Sequence, residues 1–206
     1  MSETIFQKIA RETEGKAKSD TWYRNKVRQL TISGGYNLNP GRIFLDERKD
    51  MSKPKKKQDS NKIKFILEFG KIYMFDYDPK YQLKLPVYDK FPLAYIMKGA
   101  DGGFYAYNLH YLNIKRRLEF LELLKMGQVH ILKSRVHRYL IDPKYMNGIF
   151  LEIGEDEWEV AAHLPVENFF TNVSGIEVPV PKTIIWQKTE KMQKTYYREK
   201  RRIGRI

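Results

Sequence analysis

Six cations near the end of the chain, Lys188, Lys191, Lys194, Arg198, Arg201 and Arg205, step by 3, 3, 4, 3 and 4 residues. That spacing puts them on one face of a helix, with Arg202 beside them. Cations one turn apart along a rod can follow a phosphate backbone or lie across a groove. Same-sign neighbours repel by a few tenths of a kcal/mol per pair. Only Glu190 and Glu199 relieve that repulsion. An anionic partner would make such a stripe a favourable helix; the alternative is a solvated tail that aids solubility. Upstream, Arg24 and Arg28 share a helical face, and Lys53, Lys55, Lys56 and Lys57 crowd one polar stretch. Lys133, Arg135 and Arg138 in "KSRVHRYL" either add to a basic surface or belong to an ordinary amphipathic helix.

Catalytic constellations are missing. There is no cysteine, and His110, His130, His137 and His163 show neither HxH nor HxxxH spacing, so no metal site and no cofactor is expected. GxSxG, GxxxxGK[ST] and GxGxxG do not occur. Asp76, Asp78-Pro79-Lys80 and Asp142-Pro143-Lys144 resemble the carboxylates and lysine of a metal-dependent nuclease. Each "DPK" reads more simply as a turn in which proline fixes φ. No catalytic residue is assigned.

The chain has 206 residues, 42% hydrophobic, 14% aromatic and 31% charged, with a net charge of +13. That composition suits an ordered protein with one good core or two small ones. No apolar run is long enough to span a bilayer, the N-terminal residues carry no apolar signal core, and the expectation is a soluble intracellular protein without a membrane partner. The charge is unevenly placed. Residues 1–60 hold 14 basic and 8 acidic side chains, residues 61–180 hold 15 of each, and residues 181–206 hold 9 and 2. A neutral body between cationic ends suits a polyanion, either nucleic acid or an acidic protein surface.

These boundaries define three segments: a basic helical arm and Lys-rich linker (1–60), an aromatic-rich α+β body (61–180) and a basic C-terminal helix (181–206). Residues 3–32 read as helical, with Ile5, Phe6, Ile9 and Ala10 on one face, then Ser19 or Asp20 capping a second helix that carries Tyr23, Val27 and Leu30. Turn formers fill 33–42, and 46–62 is a solvated linker. In the body, "IKFILEF" and "KIYMFDY" are β-rich runs split by Gly70. A loop at 78–86, a strand at 91–97, a turn at 98–103 and a strand at 104–112 follow. Asn113 caps a helix over 114–126, with Ile114, Leu118, Leu121 and Leu124 as its stripe and Gly127 after it. A second helix is expected over 133–141, a strand over 148–153, and a helix over 155–163 stopped by Pro165. That last helix turns Trp158, Ala161 and Ala162 inward. Residues 174–183 should be extended, because Pro179 and Pro181 forbid helix. That extended piece should insulate the tail, so that a chain cut at Thr183 keeps its fold. The body aromatics, Tyr73 to Tyr111, either stack bases or fill the core. In "FYAYNLHYL", Leu109 and Tyr111 are expected to face the core. The simplest body is a small antiparallel sheet with packed helices, partly closed in the manner of an SH3 barrel.

One stretch is more specific. Tyr73, Phe75, Tyr77, Pro79 and Lys80 lead into "LPxYDxFPL" (Leu85, Pro86, Tyr88, Asp89, Phe91, Pro92, Leu93). Then comes "GFxxxNLHYL" (Gly103, Phe104, Asn108, Leu109, His110, Tyr111, Leu112). With "TWYRNKVRQL" (21–30) before it and "EWEVAAHLPVENF" (157–169) after it, the pattern resembles DNA end protector, or head-completion, proteins of contractile-tailed phages. The resemblance spans about residues 20–170. It departs at the Lys-rich 53–57 segment and the long basic C-terminal helix.

That resemblance implies a non-enzymatic virion protein that shields the terminus of packaged double-stranded DNA near the portal or neck. It would sit in the virion, and in host cytoplasm during assembly. Its expected partners are DNA, bound without sequence preference through Lys188, Lys191, Lys194, Arg198, Arg201, Arg202, Arg205, Arg24, Arg28, Lys55, Lys56 and Lys57, and other virion proteins. A neck or baseplate adaptor gripping acidic surfaces is the competing reading, and a metal nuclease the third.

Overall fold

The computed structural model describes residues 9, 11–13, 18–19, 21–23, 25–26, 29, 63–64, 67–129, 131–146, 148 and 150–203. The expected turn at 33–42, linker at 46–62 and cationic residues Arg24, Arg28, Lys55, Lys56, Lys57 and Arg205 lie outside them.

Two antiparallel sheets and their helices make an α+β fold. The strands are β1 (Ile63–Lys64), β2 (Ile72–Phe75), β3 (Tyr88–Asp89), β4 (Leu93–Ala100), β5 (Gly103–Asn108), β6 (Val136–Leu140), β7 (Phe150–Ile153), β8 (Phe169–Val173) and β9 (Ile176–Pro179). Described residues 9, 11–13, 21–23, 25–26 and 29 are helical, and the helices whose ends fall among the described residues are α1 (Ile114–Lys125), α2 (Trp158–His163) and α3 (Lys182–Ile203). The larger sheet runs β1-β7-β2-β4-β5-β6, and the smaller β3-β8-β9. Of the expected strands, β2, β4 and β5 pair in order, β6 adds at the β5 edge, and β7 returns to pair with β2 and with β1. These ladders do not establish SH3-type closure.

The sheet is buried on both faces, which explains why all four residues of β2 are inside. Ile72 and Met74 join Leu93, Tyr107 and Ile153 beneath α1 and α2, in the core that also receives Ile9 and Tyr23. Tyr73 and Phe75 face the other way, onto Phe104, Tyr139 and Phe150. There the rings meet edge on, with centroids 5.2 Å apart for Phe75 and Tyr139 and 5.4 Å for Phe75 and Phe150. Most of the body aromatics are therefore core.

Local signals explain several boundaries. The Ser19 hydroxyl accepts from the Trp22 N–H, as expected of a cap. The Asn113 side chain accepts from the Arg116 N–H at 2.9 Å and starts α1. Gly127 follows that helix at φ 69°, where a side chain would be strained. Gly103 has a different reason: a Cβ there would overlap the Tyr139 carbonyl across the β5–β6 ladder.

Two expectations fail, and the extended stretch expected over 174–183 is met only as far as Pro181, where α3 takes over at Lys182. Residues 133–141 are not helical: one 3₁₀ turn at Lys133–Arg135 leads into strand β6. Val136 and Leu140 fit i, i+4 spacing, but they also fit strand alternation, and β5 offers an open edge that takes Tyr139 into the ring cluster. The strand expected over 104–112 ends at Asn108, whose side chain accepts from the His110 N–H and starts a 3₁₀ turn at Leu109–Tyr111. The extended stretch after Ser174 is one arm of a hairpin, β8–β9, whose first arm the sequence pattern did not suggest. Its turn residues Ser174 and Gly175 both have positive φ, the signature of a primed hairpin turn.

In the 3₁₀ turn Leu109 and Tyr111 are buried as expected, but so are His110 and the capping Asn108. Leu109 is fully enclosed in the core beneath α1 and α2. Leu109→Ala is expected to cost roughly 2–5 kcal/mol. An unchanged urea midpoint would contradict that packing.

Candidate nucleic-acid interface and the polar centre that holds it

The phrases "LPxYDxFPL" and "NLHYL" meet in space. Asp89 Oδ2 lies 2.8 Å from His110 Nδ1 and accepts from Asn108 Nδ2 at 3.1 Å. Its other oxygen accepts from the backbone N–H of Phe91 at 3.1 Å and of Asn168 at 3.3 Å. One enclosed carboxylate thus ties β3, the end of β5 and the entry to β8. Burying that carboxylate is tolerable because three N–H donors and the His110 ring surround it.

A second buried charge lies beside the first. The Arg117 guanidinium, wholly enclosed in α1, donates to the carbonyls of Leu109, Leu112, Ala162 and His110 at 3.0–3.2 Å. It also pairs with Glu167 Oε1 at 2.5 Å, and Lys182 reaches the other Glu167 oxygen at 2.8 Å. Burial alone would raise the Glu167 pKa. The nearby charges of Arg117, His110 and Lys182 outweigh it and hold the carboxyl at about 2, against an ordinary 4.5. The folded protein therefore binds this proton less readily than the unfolded chain. The resulting stabilisation, on the order of 3 kcal/mol, is complete above about pH 4.5 and is lost as pH falls towards 2. Urea midpoints measured down through that window should drop more steeply for the wild type than for Glu167→Gln. Parallel profiles would refute the assignment.

This centre anchors α3. Trp186 Nε1 donates to the His110 carbonyl at 2.9 Å, and the Arg117 guanidinium stacks 5.4 Å from the Trp186 ring. Ile185 is buried against Tyr111 and Phe169. Asn113 Nδ2 donates to Glu190, and Arg135 Nη2 reaches Met192 Sδ at 3.4 Å. The expectation that Pro179 and Pro181 insulate the tail is thus corrected: the helix packs on the body from Lys182 to Met192. A cut at Thr183 would remove Ile185 from the interior and half-buried Trp186 from its packing on the body. Arg135 is likewise no surface cation, being buried under the Tyr111 ring at 5.0 Å.

Beyond the anchor, the helix carries the predicted cations. Lys188, Lys191, Lys194 and Arg198 are all exposed. At 100° per residue, Lys191, Lys194 and Arg198 lie across the helix from buried Ile185 and Thr189. Arg201 and Arg202 continue the same helix. Its 22 residues make a rod of roughly 33 Å.

The "DPK" segments are turns. Asp142 Oδ1 accepts from the Lys144 N–H at 2.9 Å, and the Asp78 N–H donates to the Tyr145 carbonyl at 2.8 Å, which sets the two turns side by side. Among the described residues no group of three or more His, Asp or Glu could hold a metal ion, and no helix is long and apolar enough to cross a membrane.

An α+β body knitted by the Asp89 and Arg117 centres, with a cationic helix clamped to it, defines the structural class. Comparison with known proteins adds the lineage: residues 23–140 match the family described as Phage T4 terminal DNA protecting protein. The match covers more than half of the chain, which therefore belongs to this family of phage DNA-terminus protectors. No curated protein and no solved structure matches it. The matched stretch contains Asp89, Asn108, His110 and Arg117 and ends with β6. Glu167, Trp186 and the cationic stripe lie beyond it.

The sequence reading did not find Arg117 or Glu167. A signal existed for the first: Arg117 occupies the same helical face as Ile114 and Leu121, where a solvated arginine would not sit. Glu167 stood in the "EWEVAAHLPVENF" pattern, but its pairing was hidden, because its partners are 50 residues upstream and 15 downstream.

Proposed function

We propose that this chain is a non-enzymatic virion structural protein that binds the end of packaged double-stranded DNA near the portal or neck and shields it from exonuclease. The stripe Lys188, Lys191, Lys194, Arg198, Arg201, Arg202 and Arg205 supplies the main phosphate contact. Arg24, Arg28, Lys55, Lys56 and Lys57 add cations from the N-terminal segment. The observation that carries this reading is the exposure of four stripe cations on a helix whose base is locked to a body of zero net charge. Membership of a terminal DNA protecting family supports the same target. No base-reading motif accompanies the stripe, so binding is indifferent to sequence.

If roughly 5–8 cations meet phosphates, log K against log salt concentration should slope at about −4.5 to −7. Linear duplex bound by the protein should resist exonuclease. A salt-independent affinity, or digestion at the rate of naked DNA, would reject the proposal. A neck or baseplate adaptor is the second reading. Val173, Ile176 and Val178 favour it locally, because they stand exposed on the β8–β9 hairpin, where a protein neighbour would cover them.

A further inference from the structure

A cavity of about 470 Å³ opens between the larger sheet and the Pro79–Leu85 loop. That volume lies within the roughly 300–1,000 Å³ of small-molecule sites. Its walls are unusually aromatic: Tyr77, Tyr88, Tyr111 and Tyr139 all line it. Their hydroxyls are already engaged, which fixes the rings. Tyr77 accepts from the Leu140 N–H, Tyr139 accepts from Asn108, Tyr111 donates to the Val87 carbonyl and Tyr88 donates to Glu177. The Asp89 carboxylate and the Asn108 amide at the cavity wall are likewise occupied with one another and with backbone. Exposed Lys80 and Arg138 also line the opening, together with the exposed ring of Tyr81.

We propose that this cavity receives the terminal nucleotide of a DNA strand, its base among the tyrosines and its phosphate beside Lys80 and Arg138. The proposal rests on the DNA-end reading above and specifies how an end is told from the interior. A flat ring system suits stacking on aromatic walls, and every base offers a π face, so the pocket is indifferent to sequence. The tyrosine, Asp89 and Asn108 polar groups at the wall are occupied; the His137 Nε2 is buried there without a hydrogen-bond partner, and one ring nitrogen does not make a set that could read a base edge. Entry requires a base to leave its stack. An internal base must give up two stacking neighbours and its pair, costing a few kcal/mol, whereas a terminal base has one neighbour and frays readily. The cavity therefore selects termini by the ease of unstacking, while the α3 stripe supplies the sequence-blind grip.

The test uses the full chain and short duplexes carrying 2-aminopurine at either strand terminus or at the centre. The terminal probe at one strand end should change its emission on binding, and the central probe should not. Tyr81→Ala, a loop surface change, and Leu85→Trp, which fills the cavity, should each weaken binding to linear duplex about tenfold. Both should leave affinity for a hairpin-closed dumbbell of the same length unchanged, with unaltered melting of the protein. If linear duplex still outcompetes the dumbbell but every terminal probe responds like the central one, the pocket proposal falls and the end reading stands. If the wild type binds dumbbell and linear duplex equally, the end reading itself falls, and the pocket with it.

Discussion

Replacing Lys188, Lys191, Lys194 and Arg198 together with glutamate is expected to abolish most DNA affinity while leaving the protein's melting temperature unchanged. All four side chains are exposed, and those beyond Thr189 lie on the side of α3 away from its packed face. Removing four phosphate contacts should make the slope of log K against log salt shallower by about 3.6. Exonuclease protection of linear duplex should fail in the same variant. Ending the chain after Gln193 should act similarly, because that cut removes Lys194 onward and keeps Ile185, Trp186 and Met192 on the body. If both variants bind DNA normally but no longer enter particles, α3 is a protein-docking arm, and the adaptor reading replaces the end-protector one.

The second large effect concerns stability. Arg117→Met should cost roughly 3–5 kcal/mol, since it leaves buried Glu167 with Lys182 as its ion-pair partner and takes a donor from four carbonyls, of which Leu109 keeps the Leu112 N–H and His110 keeps the Trp186 indole. Its neighbour provides the control. Arg116 is exposed and pairs only with Glu119, one turn away, so Arg116→Met should change stability by no more than about 1 kcal/mol. Equal urea midpoints for the two variants would show that the buried guanidinium does not hold the fold.

What the sequence disclosed and what it hid follow from the range of the forces involved. The Asn113 cap, the glycine after α1 and the proline stop after α2 are decided within a few residues, and each is where local chemistry puts it. The helix expected at 133–141 failed because a five-residue stretch with Val136, Tyr139 and Leu140 suits either state, and only the distant edge of β5 decides between them. The β8 arm was missed for a similar reason: its partners are β3 and β9, and only two of its residues pair with β3. In the candidate interface, the exposed cations were legible from spacing alone. The cavity was not, since its walls come from β3, β6, the 3₁₀ turn after β5 and the Pro79–Leu85 loop. The motif around Asp89 and His110 was visible as a pattern, but its purpose became clear only when the two phrases closed on one carboxylate.

The indole of Trp186 also sets a timetable. Its partner, the His110 carbonyl, is made 76 residues earlier. At roughly 5–20 residues per second, a nascent chain carries that carbonyl for about 4–15 s before the indole exists. For nearly all of that interval Tyr111, and over its last residues Phe169 as well, lacks the Ile185 side chain that covers it. A ribosome that stalls before residue 185 therefore releases a chain with an open apolar seam, suited to chaperone or protease rather than to assembly. Prematurely terminated copies are thereby exposed to clearance, and the chains that persist are those that already carry the root of the cationic helix.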